Sequence, residues 1–227
     1  MSLQAKLDAF KAALESGAPP YNVPRFVVDA IHRQTDELIE SGQAGRARKA
    51  GDGDQAPVFS LHDAHGNTVD LGDLLAKGPV VVTFYRGVWC PYCNMDLQAL
   101  EAARPEIEAR GATMVAISMQ SAVNSRKAVT QNKLGFPILN DPRGAVADAF
   151  GLRFALPDYL IDIYKNAFKT DLAVINDDPS WTLPMPARYI IGQDGVIAYA
   201  EVNPDYTQRP DPSELLPTLD RLRQIAA

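Results

Sequence analysis

The chain has 227 residues, of which 46% are apolar, and a formal charge of −6. That balance excludes the basic footprint of a nucleic-acid-binding domain, and no run approaches the ~18 consecutive apolar residues of a membrane span. The opening residues Met1 to Lys6 lack the apolar stretch of a secretory signal. The length suits one large domain, or a domain with an extension. With only two cysteines there is no structural disulfide framework. A cytoplasmic, reducing setting is expected, where paired thiols do chemistry or bind metal.

Residues 1–50 read as a helical extension and linker. Leu3, Leu7, Phe10 and Leu14 recur at helical spacing and Gly17 stops the run. A second helix is expected from Asn22, with Pro24 in its first turn and Val28, Ile31, Leu38 and Ile39 inward. The segment from Gly42 to Gly53 is Gly-rich and partly basic, and reads as a solvated connector. The two helices serve either as a cap on the domain behind them or as a surface for a partner or a second copy of the chain. They contribute no cysteine, so thiol chemistry is expected to survive without them.

From residue 51 onward, strands alternate with helices. Val58–Leu61 and Thr68–Leu71 flank the turn Gly66-Asn67. Val80 to Tyr85 is an apolar, β-branched run typical of a central strand. A helix is expected from Cys93 to Ala109, kinked at Pro105, then a strand from Thr113 to Met119 and a helix from Ala122 to Asn132. A short strand at Phe136–Leu139 precedes a helix ending at Phe150. Residues 156–182 form an insert with a helix from Tyr159 to Phe168. A hairpin follows (Tyr189–Ile191 and Val196–Tyr199), then a closing helix from Pro212 to Ile225. This order defines an α/β fold with a mixed central sheet and helices on both faces.

The two cysteines occur together, in Trp89-Cys90-Pro91-Tyr92-Cys93, directly after the central strand. A strand end in an open α/β sheet is where sites usually lie. A helix start offers unpaired N–H groups and a positive dipole end, which favour a thiolate, and the thiolate is the nucleophile. Pro91 suits the first helical position. A zinc site would need two more ligands. His62 and His65 have suitable spacing but sit in a surface hairpin, so neither a metal nor another cofactor is expected.

At these residues the chain resembles the thioredoxin-fold superfamily, and within it the peroxiredoxin-like AhpC/TSA family, bacterioferritin-comigratory type. Gly53 to Leu61, Val82 to Cys93, Val115 to Ser118, Phe136 to Asp141 and Tyr189 to Ile197 carry the resemblance, which spans residues 52 to 225. The family's peroxidatic cysteine falls on Cys93, but its Thr position holds Cys90 and its Pro position holds Arg86. The family's later arginine falls on Pro186, and Gln98 stands where some branches carry a resolving cysteine. Each departure moves toward thioredoxin. Trp89 opens a thioredoxin-like W-C-x-x-C, the Pro-Tyr spacer is of glutaredoxin type, and Met185-Pro186 matches that superfamily's cis-proline. Thioredoxin's buried acid is here Phe84.

The resemblance implies a thiol peroxidase that reduces hydrogen peroxide or organic hydroperoxides through a Cys90/Cys93 dithiol–disulfide cycle. A thioredoxin-type or low-molecular-weight thiol would restore the dithiol. Family position makes Cys93 the attacking sulfur; the usual behaviour of a C-x-x-C turn favours Cys90, so both assignments stand at the level of sequence. Arg86 and Arg188 are candidates to lower a thiol pKa. Arg188 lies two positions past Pro186 and so on the same strand face. The alternatives are a protein-disulfide reductase and a redox-sensing interaction module.

Overall fold

The structure, a computed structural model, describes residues 1–51 and 54–226; Asp52 and Gly53 of the linker lie outside the described residues. In chain order the elements are α1 (Leu3–Glu15), α2 (Arg25–Glu40), β1 (Ser60–Asp63), β2 (Thr68–Asp70), α3 (Leu71–Leu75), β3 (Val80–Phe84), α4 (Pro91–Glu108), β4 (Thr113–Ser118) and α5 (Ala122–Asn132). They continue with β5 (Ile138–Asn140), α6 (Ala145–Ala149), β6 (Arg153–Ala155), α7 (Asp158–Asn166), α8 (Leu172–Asn176), β7 (Thr182–Pro184), β8 (Ala187–Ile191), β9 (Ile197–Val202) and α9 (Leu216–Ala226).

A seven-stranded sheet runs β2-β1-β5-β4-β3-β8-β9. Strands β3, β4 and β5 are parallel neighbours, and β8 returns antiparallel to β3, with Val82 opposite Tyr189. The two-residue side-chain period of these strands divides the core. Val81, Ala116, Ile138 and Ile190 face one apolar cluster, which also takes in α1, α4 and α9. Val80, Val82, Phe84, Val115, Ile117, Tyr189 and Ile191 face the other, where Phe84, Phe150 and Tyr189 pack ring against ring. All of β3 is buried, and its one polar side chain, Thr83, donates to the Ala187 carbonyl of β8.

Several expectations are corrected. Helix α2 begins at Arg25, because Asn22 turns the chain with φ +50° and Pro24 is the N-cap. Val27 joins Val28 and Leu38 inside, whereas Ile39 is exposed. The linker is not a solvated connector: Ala47 is buried, and the Arg48 N–H donates to the Phe150 carbonyl. Val58 is exposed and β1 starts two residues later, at Ser60. β5 likewise starts at Ile138 rather than Phe136. Helix α4 starts at Pro91, two residues before the expected Cys93, and has Pro105 inside its last turns. The Met185–Pro186 peptide is trans, since Pro19–Pro20 is the cis bond among the described residues. Pro186 lies in the two-residue link between β7 and β8.

The N-terminal helices pack on the body of the protein. Leu3 and Leu7 share the apolar cluster of Leu97, Leu100 and both cysteines. α2 lies beside α7, where the Tyr159 hydroxyl donates to Glu37. The insert is closed at its base by β6 and β7 paired antiparallel, and α7, α8 and Trp181 form a small core of their own.

Candidate active site: a buried dithiol at the start of a helix

Strand β3 delivers Tyr85 to Trp89 as a turn held by one bond of its own backbone and by two side chains. The Cys90 N–H donates to the Gly87 carbonyl, the Val88 N–H to Gln120 Oε1, and Asn94 Nδ2 to the Val88 carbonyl. Gly87 has φ +152°, and a Cβ there would lie 2.4 Å from Trp89 Nε1, so only glycine lets the indole fold over the turn. Cys90 is the N-cap of α4, Pro91 its first residue, and Cys93 follows within the first turn. Both cysteines are free thiols, exposed by 2% and 0% respectively.

The two sulfurs are electrostatically unequal. Burial pushes the Cys90 thiol well above its ordinary value, and donating its hydrogen to Cys93 pushes it further. Burial opposes ionisation of Cys93 too, but the Cys90 hydrogen bond and the charges of Arg209 and Arg86 outweigh it, lowering Cys93 to about 6. Geometry supports that direction: Arg209 Nη2 lies 3.7 Å from the Cys93 sulfur.

Arg209 is itself held. Its Nε is 3.5 Å from Asp96 Oδ2, and its backbone N–H donates to Gln4 Oε1 at 2.8 Å. Asp96 stands three residues past Cys93, hence on the same face of α4. Its other oxygen is 2.5 Å from Arg188 Nη2, and Arg188 Nη1 donates to the Pro210 carbonyl at 3.1 Å. One buried carboxylate thus links two arginines, and only Arg209 touches a thiol.

Arg86 lies on the other side of the pair. It is 2% exposed and has no carboxylate partner among the described residues. Its Nη2 donates to the Tyr164 hydroxyl, and its guanidinium sits 3.9 Å from the Tyr206 ring centroid and 5.0 Å from that of Trp89. Burial opposes its charge, but the guanidinium stays protonated. Burial raises the Tyr164 and Tyr206 hydroxyls, so both stay neutral.

A cavity of about 260 Å³ lies over this group. Arg86, Trp89 and Cys90 line it from below, Leu14 and Ile31 from α1 and α2, and Phe168 from the insert; Cys93 does not reach it. A larger cleft of about 450 Å³ between α1 and α4 contains neither cysteine.

Of the residues singled out from sequence, Cys90, Cys93, Arg86 and Trp89 come together. Arg188 makes no hydrogen bond to either thiol, its guanidinium being held by Asp96 and the Pro210 carbonyl, and Pro186 does not line the cavity. Sequence reasoning missed Arg209, Tyr164 and Tyr206, which arrive from distant loops and the insert with no local motif. Asp96 had a usable signal, its three-residue spacing from Cys93. His62 and His65 stay on the β1–β2 hairpin.

A thioredoxin-like sheet with a dithiol at the head of its central helix defines a thiol oxidoreductase. The AhpC/TSA family model matches residues 53–200, well over half of the chain, and the chain belongs to that family. It is similar to putative peroxiredoxin Rv1608c of Mycobacterium tuberculosis, 29% identical over 119 residues, or 52% of this chain and 77% of that one. The thiol-disulfide oxidoreductase ResA of Halalkalibacterium halodurans is 31% identical over 102 residues, 44% of this chain and 57% of that one. Among solved structures, peroxidoxin BcpB of Mycobacterium tuberculosis superposes with a TM-score of 0.60 at 22% identity, over 79% of this chain and 99% of that one. Peroxiredoxin Q of Xanthomonas campestris gives 0.54 at 16% identity, over 74% and 92%. These two structures share the fold.

Proposed function

We propose that the chain is a thiol-dependent peroxidase in which Cys93 attacks and Cys90 resolves. The observation that carries this reading is the Arg209 guanidinium set against the sulfur of Cys93, the family's peroxidatic position, where its charge favours the thiolate. The Cys93 thiolate attacks one oxygen of a hydroperoxide. The O–O bond breaks, Cys93 becomes a sulfenic acid, and the departing alkoxide or hydroxide takes a proton from water. Cys90 then gives its proton to the sulfenic hydroxyl as its sulfur bonds to that of Cys93; the hydroxyl leaves as water, and a Cys90–Cys93 disulfide closes. A thiol donor, thioredoxin-type as in the wider family or a small thiol, restores the pair by exchange. Because the cavity touches Cys90 and not Cys93, peroxide reaches the nucleophile through a local opening of the cavity floor.

Hydrogen peroxide and an organic hydroperoxide are the substrates to test, by peroxide consumption with a thiol donor present. Loss of consumption in Cys93→Ser supports the reading; undiminished consumption removes it. The second reading is a protein-disulfide reductase with Cys90 attacking. It is favoured by the position of Cys90 on the cavity wall and opposed by the burial that keeps its thiol protonated. Turnover of insulin disulfides marks it.

Among the described residues no helix is long and apolar enough to cross a membrane, and the proposed setting is the cytoplasm. Exposed Phe26 and Ile39 on α2 are the surface through which self-association would run, with molecular mass in solution as its test.

A further inference from the structure

Arg86 poses a charge problem that changes during the cycle. In the reduced protein the Cys93 thiolate and this buried guanidinium each favour the charge of the other. Closing the Cys90–Cys93 disulfide abolishes that anion. Arg209 keeps Asp96 as its partner, but Arg86 has no carboxylate among the described residues. A buried cation left unpaired is costly, so the oxidised site gains affinity for an anion. One further donor supports this: Arg86 Nε is buried without a hydrogen-bond partner, and Arg86 lines the cavity over Cys90.

We infer that the oxidised protein is reduced by a small anionic thiol that enters this cavity, its carboxylate held by Arg86 and its sulfur attacking Cys90. The inference rests on the dithiol–disulfide cycle proposed above. A cavity of about 260 Å³ roofed by Leu14, Ile31 and Phe168 admits a small molecule but not the surface of a protein reductant. Attack at Cys90 expels Cys93, the sulfur with the lower pKa and so the better leaving group. The first thiolate bonds to Cys90 as a mixed disulfide while the Cys90–Cys93 bond breaks. A second thiolate attacks the small molecule's sulfur, leaving as the symmetrical disulfide and freeing Cys90. The two thiols supply two electrons and two protons; Cys90 takes one proton and solvent the other. The returning Cys93 thiolate re-pairs with Arg86 and displaces the spent carboxylate.

The test uses full-length protein oxidised with diamide, so the disulfide forms without peroxide chemistry. Its reduction by 3-mercaptopropionate and by neutral 2-mercaptoethanol is followed by titrating thiols after acid quench, with rates corrected for thiolate fraction. Thioredoxin with its reductase runs in parallel. We expect 3-mercaptopropionate to be faster by at least about tenfold, the scale of one hydrogen-bonded charge pair. The preference should vanish in Arg86→Gln and persist in Arg86→Lys. No preference in the wild type, a preference unchanged by Arg86→Gln, or faster reduction by thioredoxin at equal thiol concentration overturns the inference. A protein that consumes no peroxide yet shows the charge preference loses the peroxidase reading and keeps this one. Failure of diamide to close the disulfide removes both.

Discussion

Arg209 sets its guanidinium 3.7 Å from the sulfur of Cys93, from a loop 116 residues further along the chain. The contact makes the electrostatic state of the dithiol a property of the whole fold. The loop is pinned by Gln4 of α1 and by the Asp96 bridge to Arg188, so three separated segments set one thiol.

Replacing Arg209 by Gln should raise the Cys93 pKa. A hydrogen bond to a charged group contributes about 1.5–3 kcal/mol, or about 1–2 pKa units. The alkylation rate of Cys93 against pH, with modified peptides identified by mass, checks this. An unshifted midpoint would show that Arg209 does not bear on the thiol.

Stability of the reduced protein should depend on pH through the same sulfur. The folded pKa of Cys93, about 6, lies below its ordinary value of 9.0. Between those limits the unfolded chain binds more protons, so stability rises with pH, and the contribution is lost as pH falls through the folded value. Cys90 has the opposite sign: its raised pKa costs stability only above the unfolded value. Urea denaturation across pH 6 to 9 should therefore show wild type gaining on Cys93→Ser as pH rises. Parallel curves would contradict the lowered pKa.

The sequence expectation that residues 1–50 are dispensable meets a packing objection. Leu7 is 0% exposed, in the cluster that holds Cys93. Leu7→Ala should cost about 2–5 kcal/mol, as large-to-small core substitutions do. A denaturation midpoint unchanged by Leu7→Ala would restore α1 as a detachable extension.

The fold and half of the site were legible from sequence for physical reasons. The strand–dithiol–helix junction is local: an apolar run, Trp-Cys-Pro, and an amphipathic helix sit within thirty consecutive positions, and the structure reproduces them almost residue for residue. Helix α5 falls on the expected Ala122–Asn132, closed by a left-handed Lys133 whose N–H bonds back to the Thr130 and Val129 carbonyls. Arg209, Tyr164 and Tyr206 escaped because their roles depend on loop paths fixed by tertiary contact. Arg188 misled because strand parity places a residue on a face without saying which charge will claim it. Asp96, buried behind the dithiol, claimed it.

The central claim is that Cys93 is the sulfur that meets peroxide. The most direct measurement is sulfenic-acid trapping in Cys90→Ser and Cys93→Ser after one equivalent of hydrogen peroxide, with the adduct located by mass spectrometry. The account predicts a trapped sulfenic acid on Cys93 in Cys90→Ser, and no reaction above that of free cysteine in Cys93→Ser. An inert Cys90→Ser beside a Cys93→Ser that forms mixed disulfides with protein substrates through Cys90 would contradict it.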